Sequence, residues 1–160
     1  MKEIKELSIL GIDQSSRSCG IAIFKGTTLT AVRTLTFADK YSLKKLEKII
    51  KTFNDLISFL KPDIVIIEEP LVLHSGVTTK VLNQIAGAIL TVAYINGAEL
   101  HMIHNATVKR WNGIVGEAKG RGNVKAQSVK IVNERYKIEC ANSDESDAVL
   151  LVDTYVKLKE

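Results

Sequence analysis

The stretch that decides the fold is residues 7–24, LSILGIDQSSRSCGIAIF. Two apolar runs suited to neighbouring buried strands flank a short polar turn. Asp13 closes the first run, where SILGI would otherwise go on burying apolar surface. A lone carboxylate in such a place is costly unless something compensates it. Asp13 therefore requires a partner from elsewhere in the chain.

Working outward, residues 19–25 and 28–37 continue as strands. In the second of these Leu29, Ala31, Arg33 and Leu35 alternate with Thr30, Val32, Thr34 and Thr36. Residues 41–60 carry helical periodicity, with Leu43, Leu46, Ile49, Ile50, Phe53, Leu56, Ile57 and Leu60 on one face. Ser42 suits the N-cap, and the KPD that follows stops the helix. Residues 63–69, DIVIIEE, form a continuous apolar strand of the kind covered on both faces. A second helix is expected over 77–96, a fifth strand over 99–104, a third helix over 124–135 and a closing helix over 143–158. The order predicts an antiparallel meander extended by crossovers: an α/β protein with a mixed five-stranded sheet and helices on both faces. No repeat, low-complexity tract or linker divides it, so residues 1–160 are expected to form a single domain.

Composition narrows the class. The chain has 160 residues, 46% of them apolar, which supports a substantial core. Its net charge of +4 and pI near 9.0 suit an anionic partner. MKEIKEL is too charged for a signal peptide, and no apolar run approaches the roughly 18–20 residues that span a bilayer. No membrane association is expected. Cys19 and Cys140, far apart and without further ligands, read as reduced core thiols of a cytoplasmic protein.

The candidate site is acidic. Glu68 and Glu69 end the most apolar strand, and strand alternation puts only one of them on the face of Ile64 and Ile66. A solvated strand end would also account for either, but Asp13 likewise ends a buried strand, at the edge where α/β sheets bind ligands. In ANSDESDAVLLVDTYVKL, Asn142 or Ser143 can cap the closing helix, and capping alone explains acids in its first turn. Asp147 fits that explanation less well. It lies three residues after Asp144 on the face that leads to Leu151 and the core. Four converging carboxylates repel one another unless cations lie between them. With no Cys or His cluster, all-oxygen ligation points to Mg²⁺ or Mn²⁺, and two such ions about 4 Å apart can clamp a phosphodiester for hydrolysis.

Between Asn105 and Lys137 the chain carries Lys109, Arg110, Lys119, Arg121, Lys125, Lys130, Arg135 and Lys137 against Glu117 and Glu134. So concentrated a positive segment suits nucleic-acid phosphates, although single lysines on a solvated helix are ordinary. GIVGEAKGRGN (113–123) reads as a mobile Gly-rich loop. Trp111 could stack on a base, but an aromatic on an amphipathic helix is more often core. His101 and His104 show no metal spacing and receive no role, and His74 likewise lacks that spacing.

Taken in order, ILGIDQSSRSCGIAIF, IVIIEEP, TVKRWNGIVG…NVKAQSV and SDESDAVLL resemble the RuvC-type Holliday junction resolvases of the RNase H-like superfamily, most closely bacteriophage-encoded members. The resemblance covers nearly the whole chain. It implies an RNase H-like fold and a homodimeric endonuclease that uses two Mg²⁺, with Mn²⁺ as a substitute, to nick four-way DNA junctions in the cytoplasm, that of the host cell if the gene is a bacteriophage's. Asp13, Glu68, Asp144 and Asp147 match the family's acids, and Lys109 and Lys125 its DNA-contacting basic residues. Arg110, Lys119 and Arg121 of the basic segment are expected to contact DNA as well. Two positions depart: the usual Pro-Gly after the first Asp is Gln14-Ser15, and the aromatic three residues after the family Glu is Leu71, which can wedge at the junction but cannot stack. Weak sequence preference, and cleavage of forks and three-way junctions, are expected from this. The 77–96 helix, apolar on adjoining faces (Val81, Ile85, Ile89, Val92; Leu82, Ala86, Leu90, Ala93), suits a two-fold dimer. Two other readings remain at this stage: a non-catalytic junction-binding module, and a phosphate-binding domain like those of sugar kinases and Hsp70-like ATPases, which need two such domains.

Overall fold

The computed structural model describes residues 3–70, 75–115 and 121–160. After a short 3-10 turn, strands β1 (Ser8–Asp13), β2 (Ser18–Lys25) and β3 (Thr28–Thr36) are followed by α1 (Leu43–Leu60), β4 (Ile64–Glu68), α2 (Gly76–Ile95), β5 (Glu99–Ile103), α3 (Asn105–Trp111), α4 (Arg121–Tyr136) and α5 (Ser143–Lys159). The sheet order is β3-β2-β1-β4-β5. β1 pairs antiparallel with β2 and β2 with β3, while β4 runs parallel to both β1 and β5. This is the expected meander extended by crossovers, with helices on both faces.

Strand alternation divides the core in two. Leu10, Ile12, Val65 and Ile67 pack against Ile49, Phe53 and Ile57 of α1 and Ile85 and Ile89 of α2. Ile9, Ile64 and Ile66 face the other way, against α5, with Val108 and Val132 beyond it. α1 begins as expected: the Ser42 side chain accepts from the Lys45 amide, and a left-handed Lys61 ends the helix.

Four features differ from expectation. The closing helix does not bury a single stripe: Glu145, Ser146 and every residue from Ala148 to Val156 are buried, because α3 and α4 cover the side of α5 turned away from the sheet. The helix over 105–111 went unforeseen because seven residues are too few to show a period. α4 starts at Arg121, inside the expected Gly-rich loop, of which residues 116–120 lie outside the described residues. Trp111, more readily expected in the core, is 45% exposed at the end of α3. Among the described residues no helix is long and apolar enough to cross a membrane.

Candidate active site

The site grows from the two central strands. Ile12 and Ile67 lie side by side in the parallel β1–β4 register, so the next residues, Asp13 and Glu68, stand together at the C-terminal strand tips. By alternation both share the α5 face of the sheet with Ile9 and with Ile64 and Ile66. Glu69 belongs to the opposite face and is exposed.

Two strand glycines seat α5 over this edge. Asp13 pairs with Gly20 of β2. A Cβ on Gly20 would lie 1.8 Å from the Asp144 carbonyl oxygen, and one on Gly11 would lie 2.5 Å from that of Ala148. Only glycine lets the first turns of α5 approach so closely, and that approach carries Asp144 and Asp147 to the strand tips. The start of α5 is fixed besides. The Asn142 side chain accepts from the Glu145 amide at 3.1 Å, and Glu145 accepts from the Ala141 amide at 2.9 Å and the Thr34 hydroxyl at 3.0 Å. Glu145 is thus a buried capping acid and no part of the acidic cluster.

The other three acids bear on Asp13. Burial pushes the Asp13 carboxyl well above the usual aspartate range, and Asp147, Glu68 and Asp144 push it further, with Lys125 opposing. Asp147 rises to about 6 through burial, with the Ser128 hydroxyl and Lys125 pulling down and Glu68 and Asp144 pushing up. Burial also raises Glu68, against the Asn105 amide, Lys109 and His104. Asp144 accepts a hydrogen bond from the Ser18 hydroxyl. Among the described residues, no three Asp, Glu, His or Cys side chains already converge tightly enough to hold an ion by themselves. Oxygen donors alone, set this loosely, suit a hard divalent cation that takes one or two carboxylates and completes its shell with water and substrate oxygens.

Beside the acids opens a cavity of about 240 Å³. Glu68 and Asp147 line it with Lys109 of α3 and Lys125 of α4, over a floor of Val108, Ile114, Leu150 and Leu151. Arg110 is exposed on α3 but does not line the cavity. Arg121 opens α4, and its side chain lies outside the described residues, as do Lys119 and Leu71 altogether. Asn105, Ser18, Ser128 and the seating glycines were not foreseen. The glycines left a signal, since a glycine inside a buried strand often marks close backbone approach. The polar partners left none, because each meets its acid only across the fold.

Residues 9–154 match the family model described as crossover junction endodeoxyribonuclease RuvC. A relative of that description from Citrifermentans bemidjiense is 29% identical over 147 residues, covering 88% of this chain and 87% of its own. One from Geobacter sp. (strain M21) matches to the same extent. Among solved structures, Thermus thermophilus RuvC in complex with a Holliday junction substrate aligns at a TM-score of 0.77 and 15% identity, over 96% of this chain and 95% of that one. The yeast mitochondrial Holliday junction resolvase Ydc2 aligns at 0.65 and 14% identity, over 95% and 78%. At these identities the structural likeness shows the fold, which is the RuvC/RNase H-like one.

Proposed function

The chain belongs to the RuvC family of crossover junction endodeoxyribonucleases, and on that premise we propose that it cuts four-way and other branched DNA by divalent-metal-dependent phosphodiester hydrolysis. The observation that supports this best is the gathering of Asp13, Glu68, Asp144 and Asp147, from two strands and a helix, beside a cavity that also presents Lys109 and Lys125. In this reading the four carboxylates hold two Mg²⁺, or Mn²⁺ in their place. When bound, the ions would supply charge neutralisation and Lewis-acid polarisation of the scissile phosphate.

The remaining work falls to the chain. Lys109 and Lys125 would seat the phosphate backbone at the cavity, with Arg110, Lys119 and Arg121 extending the contact along the strand; such contacts position DNA without reading its sequence. Leu71 has no π face, so it would wedge at the junction centre without the roughly 1–3 kcal/mol per base that aromatic stacking provides. Selectivity would then rest on branch structure more than on sequence. Two copies related by a two-fold axis would match the near-symmetry of a four-way junction and permit paired nicks. Ala86 and Ala93 of the second apolar face expected on α2 are buried within the one chain and Leu82 and Leu90 are half-buried, so it is the exposed Val77, Tyr94 and Ile95 that favour such pairing. Cytoplasmic action, in the host if the gene is a bacteriophage's, belongs to the same reading.

The test is incubation with end-labelled four-way junctions, three-way junctions, forks and linear duplex in Mg²⁺ and in EDTA. The crossover is moved stepwise through varied sequence and the nicks are mapped. Expected are Mg²⁺-dependent nicks in every branched substrate, at many sequences, with linear duplex spared. Binding without nicking under any divalent ion would leave a junction-binding module instead. Cutting confined to one short sequence, with forks intact, would refute the weak preference.

A further inference from the structure

Glu68 has a partner that nothing in the chemistry above requires. The Asn105 side-chain amide donates to its Oε2 at 2.9 Å. Asn105 is the first residue of α3, and it lines the cavity together with Glu68 and with Lys109, one helical turn on. Both ends of this contact are held. The Glu69 amide donates to the Ile103 carbonyl at 3.0 Å, tying the tip of β4 to the tip of β5 just before α3 begins. At the far end of α3, Asn112 donates to the Thr154 hydroxyl of α5 at 3.0 Å and accepts from Arg135 of α4 at 3.0 Å. Arg135 is itself paired with the buried Asp153. The short helix is therefore a strut braced on α4 and α5, with an amide at its tip set against a carboxylate.

The chemistry of that tip matters. Among the described residues no Lys or Arg forms an ion pair with Glu68. A lysine there would orient the carboxylate but would also compete with a cation for its charge. A neutral amide orients it and leaves the charge intact. Partners of this kind that hold ligands in place are worth about 10–100-fold in metal affinity where they have been removed. Resting on the metal-dependent reading above, we propose that Asn105 is a positioning residue, whose amide holds the Glu68 carboxylate in the orientation that a divalent ion requires.

The test is calorimetric titration of Mn²⁺ into the full chain without DNA, for wild type, Asn105→Ala and Asn105→Gln, alongside junction affinity in EDTA. Alanine is the best helix former, so Asn105→Ala does not weaken α3 through propensity. Its Mn²⁺ affinity should fall about tenfold or more, and glutamine, which restores a donor, should return part of the loss. Junction affinity in EDTA should not change, since the substitution removes no charge. In a Glu68→Gln background Asn105→Ala should cost nothing further, as the two act through one group. Equal Mn²⁺ affinity in wild type and Asn105→Ala overturns the inference, and so does a parallel fall in metal-free junction affinity, which would mean that α3 had lost its seat. A wild-type protein that takes up no Mn²⁺ would overturn the metal-dependent reading itself, and the inference with it.

Discussion

The two faces of the sheet are built from the same strands and do opposite things. On the α1–α2 face, Leu10, Ile12, Val65 and Ile67 meet Ile49, Phe53, Ile57, Ile85 and Ile89 in an apolar layer. The buried Lys45 on that side is satisfied by the carbonyls of Phe37 and Asp39. On the α5 face the strands are equally apolar along their length, but two glycines admit a helix backbone and the strand tips carry acids. What separates them is a single alternation: Ile12 and Ile67 look one way, Asp13 and Glu68 the other. A buried strand can thus be core on one side and site on the other, provided a helix can come close enough to bring its own carboxylates.

The largest effects should separate the faces cleanly. Asp13→Asn, Glu68→Gln, Asp144→Asn and Asp147→Asn should each reduce nicking of a four-way junction by about a thousandfold or more, equivalent to roughly 4 kcal/mol of transition-state stabilisation. Each should leave junction binding in a mobility-shift assay near normal, because binding draws on the lysines and arginines. Phe53→Ala, fully buried on the other face, should do the reverse. It should cost about 3–5 kcal/mol in denaturant unfolding while the molecules that remain folded cut at the wild-type rate. Near-normal nicking by Asp13→Asn would dissolve the contrast.

Gly20→Ala probes what makes the α5 face different. The added methyl meets backbone, the carbonyl of Asp144 at 1.8 Å, and no flexible side chain can yield. The first turn of α5 must move, at a cost of about 1–3 kcal/mol or more, and Asp144 and Asp147 move with it. Both stability and cleavage by the folded fraction should fall, whereas Phe53→Ala affects stability alone. Unchanged cleavage in a folded Gly20→Ala protein would show that the seat of α5 does not set the acids.

A smaller effect concerns what the acidic edge costs without metal. Asp147 has an ordinary value of 3.8 and stands near 6 in the fold. Below pH 4 folded and unfolded chains both hold the proton, and there is no penalty. Between about 4 and 6 unfolding releases it, so this group's contribution to stability declines as pH rises, and above 6 the loss is complete. In EDTA, Asp147→Asn should therefore melt higher than wild type at pH 7, with the gap closing as pH falls towards 4. Thermal melts across that range check it, and a gap that widened on acidification would contradict the raised value. Added Mg²⁺ should narrow the difference at pH 7, since bound cations offset the repulsion that the substitution removes.

Much of this was legible in the sequence because strands and long helices write their burial into periodicity. The five strands and α1 with its Ser42 cap follow from periodicity, and apolar runs that end in acids put Asp13 and one of Glu68 and Glu69 at a common edge; the resemblance, not the pattern, picked Glu68. Asp144 and Asp147 were legible because a three-residue spacing puts them on one helical face. What escaped depends on contacts distant in sequence. Asn105 meets Glu68 across 37 residues and Ser18 meets Asp144 across 126, and neither spacing has a period. Glu145 fell under the helix-start explanation from the outset, and the structure adds its partners, the Ala141 amide and the Thr34 hydroxyl. The burial of α5 on all sides could not be read either, since its sequence keeps Ser146, Asp153 and Thr154 among the apolar residues. Asp153 is tolerated there because Arg135 and Tyr136 satisfy it.

The smallest expected effect is the sharpest check on the alternation itself. Glu68 and Glu69 are adjacent, identical in chemistry, and divided only by the face each takes. The Glu69 side chain is exposed, and the residue's bond to the Ile103 carbonyl is made by its backbone amide, which glutamine keeps. Glu69→Gln should therefore behave as an ordinary surface change, within about 0.5 kcal/mol in stability, and nicking should stay within about threefold of wild type, the factor that so small an energy allows. The measurement is initial rates on one four-way junction for Glu68→Gln and Glu69→Gln side by side. A loss at Glu69 comparable to that at Glu68 would mean that the strand tip turns over on binding metal or DNA, and that the two faces are not kept apart where the chemistry happens.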